Sequence, residues 1–130
     1  MSGSRAASWA QDCPCGSGAA YDTCCGPLHR GAALAGTPEE LMRSRYSAYA
    51  VGGSLGLDHV FRTWHPRTRP DDVSTDPALT WTGLRIVGAG DDWVEFVASY
   101  ELHGATYELR ERSTFERRAG RWVYVAAVTD

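Results

Sequence analysis

Four cysteines stand at positions 13, 15, 24 and 25 of a 130-residue chain, and the remaining sequence contains none. Disulfide frameworks distribute cysteines so as to tie distant segments together. Here Cys13/Cys15 and Cys24/Cys25 are near neighbours whose own pairing would close strained, very small loops. Cross-pairing of the first two with the last two remains open. Four clustered thiols in a reducing compartment read as a metal site, and zinc takes four tetrahedral sulfur ligands in sites that are structural and closed. The expected cofactor is therefore one structural Zn2+ per chain, held by Cys13, Cys15, Cys24 and Cys25. The competing reading is a reactive or redox thiol cluster without metal. His29 is a further candidate ligand; with four sulfurs already present it reads as a surface histidine beside the site.

The intervening residues suit a metal-binding knuckle. Pro14-Cys15-Gly16-Ser17-Gly18 supplies two glycines for a tight bend and backbone N–H groups for thiolate sulfurs. Tyr21 is placed to pack beneath the metal. Residues 22–25 suit one helical turn presenting the second cysteine pair, with Gly26-Pro27 as its stop.

A second group of chemically capable residues lies further along. Glu111 and Ser113 alternate with Tyr107, Leu109 and Phe115 on one face of a strand pattern, while Glu108, Arg110, Arg112, Thr114 and Glu116 form a solvated face. A carboxylate on an apolar face is costly unless paired or protonated. Glu111 can pair with Arg45, which shares a helical column with Leu41 and Tyr49. It can act as a general base in a pocket lined by His65, Tyr49 and Trp64. Or a bulge can turn it to water. His65 in its Trp-His-Pro turn has the simpler role of bonding nearby backbone. His59 and His103 read as solvent-facing, and the five tryptophans as core or pocket wall.

The elements that must position these groups follow from periodicity. Residues 37–51 form the best helix: Thr37 as N-cap, Pro38 at N1, Glu40 completing a capping box, and Gly52-Gly53 as the stop. Leu41, Met42, Tyr46 and Tyr49 give it a core-facing side, and Arg43 points to solvent. A shorter helix is expected over 55–62, with Leu57, Val60 and Phe61 inward. Pro66 forces an extended turn at His65, and 67–78 reads as a loop. From Thr80 the period becomes two, with strands over 81–87, 93–102, 106–117 and 122–129. Turns at His103-Gly104 and Ala119-Gly120 make the last three an antiparallel meander. Helices followed by a curved antiparallel sheet is an α+β pattern.

Composition bounds the function. Hydrophobic residues are 43% and charged residues 22%, as in ordinary globular domains, so a disordered chain is not expected. All 13 basic residues are Arg, against 16 acidic ones, for a net charge of −3. The absence of Lys and Asn reads as the codon bias of a GC-rich bacterial genome. No basic stripe for nucleic acid is present, and no Lys or Arg lies between Cys13 and Cys25. No apolar run approaches the roughly 20 residues of a membrane span, and the N-terminus lacks a signal-peptide core. The expected location is cytoplasmic.

Cys13-Pro14-Cys15-Gly16-Ser17-Gly18, Tyr21 and Cys24-Cys25 resemble the SEC-C zinc motif, named for the tail of the SecA translocation motor. Residues 37–49, with Thr63-Trp64-His65-Pro66, resemble the YchJ-like family. The resemblance implies a SEC-C-like knuckle joined to a nuclear-transport-factor-two-like cone of helices on a curved sheet. Where many SEC-C motifs carry lysines, this chain has Ala19, Ala20, Asp22 and Thr23, so a basic partner-binding face is missing. The implied organisation is a flexible segment 1–12, a zinc knuckle 13–30 and a cone domain 31–130.

The expected function is a non-enzymatic, zinc-containing binding or adaptor module with a protein partner, and a cone pocket open to a small-molecule ligand. The alternatives are an isomerase, dehydratase or hydrolase using Glu111 with His65 or Tyr49, and single-strand nucleic-acid binding by the knuckle.

Overall fold

The computed structural model describes residues 11–128. Most of the expected flexible segment 1–12, Trp9 within it, and Thr129 of the last expected strand lie outside the described residues. A 3-10 turn, Tyr21–Thr23, precedes three helices: α1 (Gly26–His29), α2 (Pro38–Val51) and α3 (Gly53–Arg62). Four strands follow: β1 (Leu79–Ala89), β2 (Trp93–Leu102), β3 (Ala105–Arg118) and β4 (Arg121–Val128). They pair antiparallel in the order β1-β2-β3-β4, a meander with each strand beside the next. Register shifts at Trp81/Gly83, Ile86/Gly88 and Thr114/Phe115 bend the sheet into a curved wall around the helices.

Helix α2 forms for the reasons its sequence supplies. Thr37 Oγ1 accepts the Glu40 N–H at 3.1 Å. Glu40 returns the bond to the Gly36 N–H at 2.7 Å, one residue further back than a capping box closed on Thr37. Gly52, at φ 71°, ends the helix. Its sheet-facing side, Leu41, Met42 and Tyr46, joins Val94, Phe96, Ala98 and Phe115 in one core. A second side of the same helix is also buried, through Ser44, Ser47 and Ala48. Those small residues leave almost no hydrophobic signal.

Helix α3 corrects the expected inward face. It starts at Gly53, and its buried residues are Gly56, His59 and Val60. Of the expected inward residues Val60 is buried and Leu57 half-buried, but Phe61 is exposed, at 37%. The reason is close helix approach: a Cβ on Gly56 would stand 2.6 Å from the Ala48 carbonyl oxygen. Gly56→Ala is therefore expected to destabilise by about 1–3 kcal/mol, because the obstacle is backbone and not a flexible side chain. A chemical-denaturation comparison with the parent checks this; a neutral or stabilising result would mean the two helices slide apart freely.

After α3 the chain docks on the edge of β4. Trp64 bridges Tyr124 in parallel, with the His65 N–H on the Tyr124 carbonyl at 2.7 Å and the Tyr124 N–H on the Thr63 carbonyl at 2.8 Å. On β3, Glu108, Arg110, Arg112 and Glu116 are exposed as expected, with Glu95 bonding both Arg110 (2.9 Å) and Arg112 (3.5 Å). The opposite face is covered only in part. Ser113 and Phe115 are buried and Glu111 is half-buried, but Tyr107 and Leu109 stay exposed. The shift at Thr114/Phe115 follows Glu111 in the strand, so Glu111 remains on the concave face and is not turned to water.

Candidate metal centre

Residues 11–21 make a miniature hairpin. Asp12 bridges Ala20, the Cys13 N–H bonds the Ala19 carbonyl at 2.8 Å, and Gly16 and Gly18 take φ of 80° and 88° at the bend. The 3-10 turn then delivers Cys24 and Cys25. Gly26-Pro27 does not stop a helix but opens α1, since proline is tolerated in the first turn, where its missing N–H has no helical acceptor. Cys13, Cys15 and Cys25 are buried, Cys24 is half-buried, and Tyr21 and Leu84 pack against them.

The four Sγ atoms lie within 4.8 Å of one another. Cys15–Cys24 and Cys24–Cys25 are 3.6 and 3.9 Å apart, and all four thiols are free. A tetrahedron of sulfurs about 2.3 Å from a central metal has edges of about 3.8 Å, so the cluster is sized to hold a metal ion. Ser17 Oγ lies 3.2 Å from Cys24 Sγ, and Ser47 Oγ 3.6 Å from Cys13 Sγ. Without a cation the charges divide unequally. Hydrogen bonds from Cys13 and Cys25 hold Cys15 far below the ordinary thiol range. Hydrogen bonding with Cys13 and Cys15, together with burial, pushes Cys25 up, and burial pushes up Cys24. A divalent ion would displace those remaining protons.

The knuckle is fastened to the cone by buried polar contacts. His29 is not a surface residue: it is 1% exposed, with Nδ1 2.7 Å from Tyr21 Oη and Nε2 2.8 Å from the Ser44 carbonyl. Since a carbonyl can only accept, Nε2 carries the proton and Nδ1 accepts from Tyr21. Both ring nitrogens are thereby engaged, and His29 is not one of the four clustered groups. His59 is likewise buried, not solvent-facing: it is 3% exposed, with Nε2 2.9 Å from Ser44 Oγ and its ring 5.0 Å from that of His29. Burial drives His59 down to about 3 and lowers His29 as well. Arg43, expected in solvent, donates to the Cys15 carbonyl at 2.7 Å and pairs with Glu39 at 3.1 Å. Arg62 donates to the Leu28 and His29 carbonyls at 3.1 and 2.9 Å.

The second candidate group divides. Arg45, Tyr49, Trp64 and Glu111 line a common cavity of about 230 Å³ between α2 and the sheet. His65 does not line it; its Nδ1 accepts the Arg67 N–H at 3.0 Å and its Nε2 faces Glu116 at 3.4 Å. Pro66 explains this, because the extended backbone it imposes turns the ring away from α2. The expected Arg45–Glu111 pair is not formed either. Arg45 Nη1 donates to the Val60 carbonyl (2.9 Å) and Thr63 Oγ1 (2.8 Å), while Glu111 Oε2 accepts from Ser113 Oγ at 2.7 Å and lies 3.5 Å from Tyr124 Oη. His103 is exposed at its hairpin, as expected.

The SEC-C motif model matches residues 11–27, and the model described as the YchJ middle NTF2-like domain matches residues 37–127. A UPF0225 protein of Deinococcus radiodurans is 50% identical over 116 residues, covering 88% of this chain and 87% of its own. The chain belongs to the UPF0225 family. A Streptomyces coelicolor UPF0225 protein is 45% identical over 115 residues, covering 86% of this chain and 90% of its own. Among solved structures, a SEC-C motif containing protein from Rhodopseudomonas palustris superposes with a TM-score of 0.79 at 34% identity, covering 92% of this chain and 99% of its own. One from Psychrobacter arcticus, at 21% identity and a TM-score of 0.71, shares the fold over 95% of this chain and 86% of its own. Among the described residues of this UPF0225 chain, no helix is long and apolar enough to cross a membrane.

Sequence reasoning missed the residues that join the knuckle to the cone: Ser44, Ser47, Arg43 and Arg62. For Ser44 and Ser47 the one available signal is their place as small polar residues within the best helix; Arg43 and Arg62 carry none.

Proposed function

We propose that this UPF0225 chain is a zinc-stapled, non-enzymatic binding module. In this reading Cys13, Cys15, Cys24 and Cys25 hold one structural zinc, and the rigidified Gly16–Ala19 bend meets a protein partner. The observation that carries it is the sulfur geometry: four thiols within 4.8 Å, three of them buried. Four thiolates fill a tetrahedral zinc, so no coordination position is left for water or substrate. Zinc also suits thiolates better than magnesium or calcium, which prefer oxygen donors. A four-thiol site persists where disulfides are kept reduced, which favours the cytoplasm. Of the enzymatic alternative, the form that uses His65 is weakened because His65 lies away from Glu111, whereas Tyr49 lines the cavity with it.

Elemental analysis of protein purified without added metal is expected to give one zinc per chain, with all four thiols unreactive until a chelator is added. Four freely titrating thiols and no metal would sink the zinc assignment. Partner capture is expected to be lost in Cys24→Ser, the variant of the most exposed ligand. Capture unchanged by both Cys24→Ser and chelation would remove the knuckle from the interface.

A further inference from the structure

The cavity between α2 and the sheet holds two opposite charges that do not meet. Arg45 is 5% exposed and makes no ion pair with Glu111 or with any other described carboxylate. Burial lowers its pKa to about 10, so it stays cationic at neutral pH. Among the described residues only Nη1 finds acceptors, the Val60 carbonyl and Thr63 Oγ1; Nε and Nη2 have none there. The guanidinium sits in the notch between Trp64 and Tyr124, with Cζ 4.9 and 4.6 Å from their ring centroids. Such contacts favour the cation, but they do not replace an anionic partner.

Glu111 stands at the other end of Tyr124. Its Oε2 accepts from Ser113 Oγ and lies near Tyr124 Oη, and Oε1 has no donor among the described residues. Both charges thus border the same phenol, Arg45 over its ring face and Glu111 beyond its hydroxyl. The wall between them is aromatic, formed by Tyr46, Trp81 and Phe96. A volume of about 230 Å³ admits one substituted ring. Sites of this kind, apolar with a few convergent polar groups, hold small organic ligands.

We propose that this cavity binds a small aromatic carboxylic acid, its carboxylate on Nε and Nη2 of Arg45 and a ring hydroxyl on Glu111 Oε1. The buried arginine fork selects the planar anion. The carboxylate across the ring selects a donor and repels a second anion. The aromatic wall excludes aliphatic acids of the same charge by loss of ring contacts.

The test uses the zinc-loaded full chain and four probes: 4-hydroxybenzoate, benzoate, benzyl alcohol and benzylamine. Binding is read by calorimetry and by the indole N–H signals of Trp64 and Trp81 in proton–nitrogen spectra. The expected order is 4-hydroxybenzoate first, benzoate next, and the uncharged and cationic probes at least about tenfold weaker, a difference of about 1.4 kcal/mol. Glu111→Leu is expected to abolish the advantage of 4-hydroxybenzoate over benzoate. Arg45→Met is expected to weaken both acids at least about tenfold. Because Arg45 also braces α3, Ala98→Leu serves as the second variant: it fills the cavity from the sheet side without touching either charge. It is expected to prevent binding while zinc content stays at the parent's value. Benzylamine binding best, equal binding of acid and alcohol, undiminished binding in Ala98→Leu, or no indole shift with any probe at millimolar concentration would each overturn the proposal.

Discussion

Cys15→Ser is expected to release the metal and lower stability by about 3–5 kcal/mol, with the cone remaining folded. Cys15 is fully buried, its sulfur lies 3.6 Å from that of Cys24, and its carbonyl is the anchor for Arg43. A serine oxygen is shorter, harder and protonated at neutral pH, so it is a poor fourth ligand for zinc. Loss of an outer-shell partner alone weakens metal sites about 10–100-fold, and a lost ligand costs more. A metal present at about 1,000 times its dissociation constant contributes about 4 kcal/mol, all of which disappears when binding fails. For a chain of this size that corresponds to a melting temperature lower by roughly 10–20 °C. The cone should survive because its core, built on Leu41, Met42, Phe96 and Phe115, contains none of the cysteines and adjoins their cluster through Leu84, which packs against both. Thermal melts with and without chelator check the argument. The parent should fall to the variant's value on chelation, and the variant should not respond. A variant that melts like the parent, or retains one zinc, would show that the cysteines are not the staple.

Acid is expected to destabilise the fold through the buried histidines, beginning near pH 6.5. His59 is held neutral by burial, down to about 3, and His29 is lowered for the same reason. An unfolded chain returns both to the ordinary histidine range of about 6.5. Between those values the unfolded state binds protons that the folded state refuses, so stability is complete above pH 6.5 and is lost as the pH falls toward 3. At about 1.4 kcal/mol per pH unit, His59 alone removes about 3 kcal/mol by pH 4.5. Acid also competes with metal for the thiolates, and a variant separates the two effects. His59→Gln preserves a donor for Ser44 but cannot titrate, so its stability should fall less steeply between pH 6.5 and 4.5 while its metal release keeps the parent's midpoint (an order-of-magnitude contrast of about 3 kcal/mol). Equal slopes in the two proteins would mean that His59 is not the group taking up the proton.

Both effects arise at a junction that hydrophobic patterning could not reveal. The α2 sequence Pro38–Val51 shows one apolar face, and that face does meet the sheet. Its other face carries Ser44 on His29 and His59, Ser47 on Cys13, and Ala48 against Gly56. Each is small or polar, so each reads as solvated until a partner from another segment is placed beside it. His29 and His59 read as exposed for the same reason: their partners, Tyr21 and Ser44 for the first and Ser44 for the second, come from other segments.

The sequence by itself determined whatever depends on local spacing. Thr37, Pro38 and Gly52 bound α2 because capping acts within a few residues. Period-two alternation marks the four strands of the meander because side chains alternate across a sheet. The cysteine pairs, the glycines at 16 and 18 and the turn between them bring four sulfurs together within fifteen residues of chain. Tertiary structure alone decided how distant charges are apportioned. Arg45 and Glu111 are 66 positions apart, and whether they pair depends on what the fold places between them, here Tyr124. The Trp64–Tyr124 bridge brought Thr63 within reach of Arg45, while His65, itself buried, faces Glu116 and not the cavity. Hydrogen bonds and ion pairs are short-ranged and directional, so a carboxylate and a guanidinium on facing walls can line one cavity and still not touch.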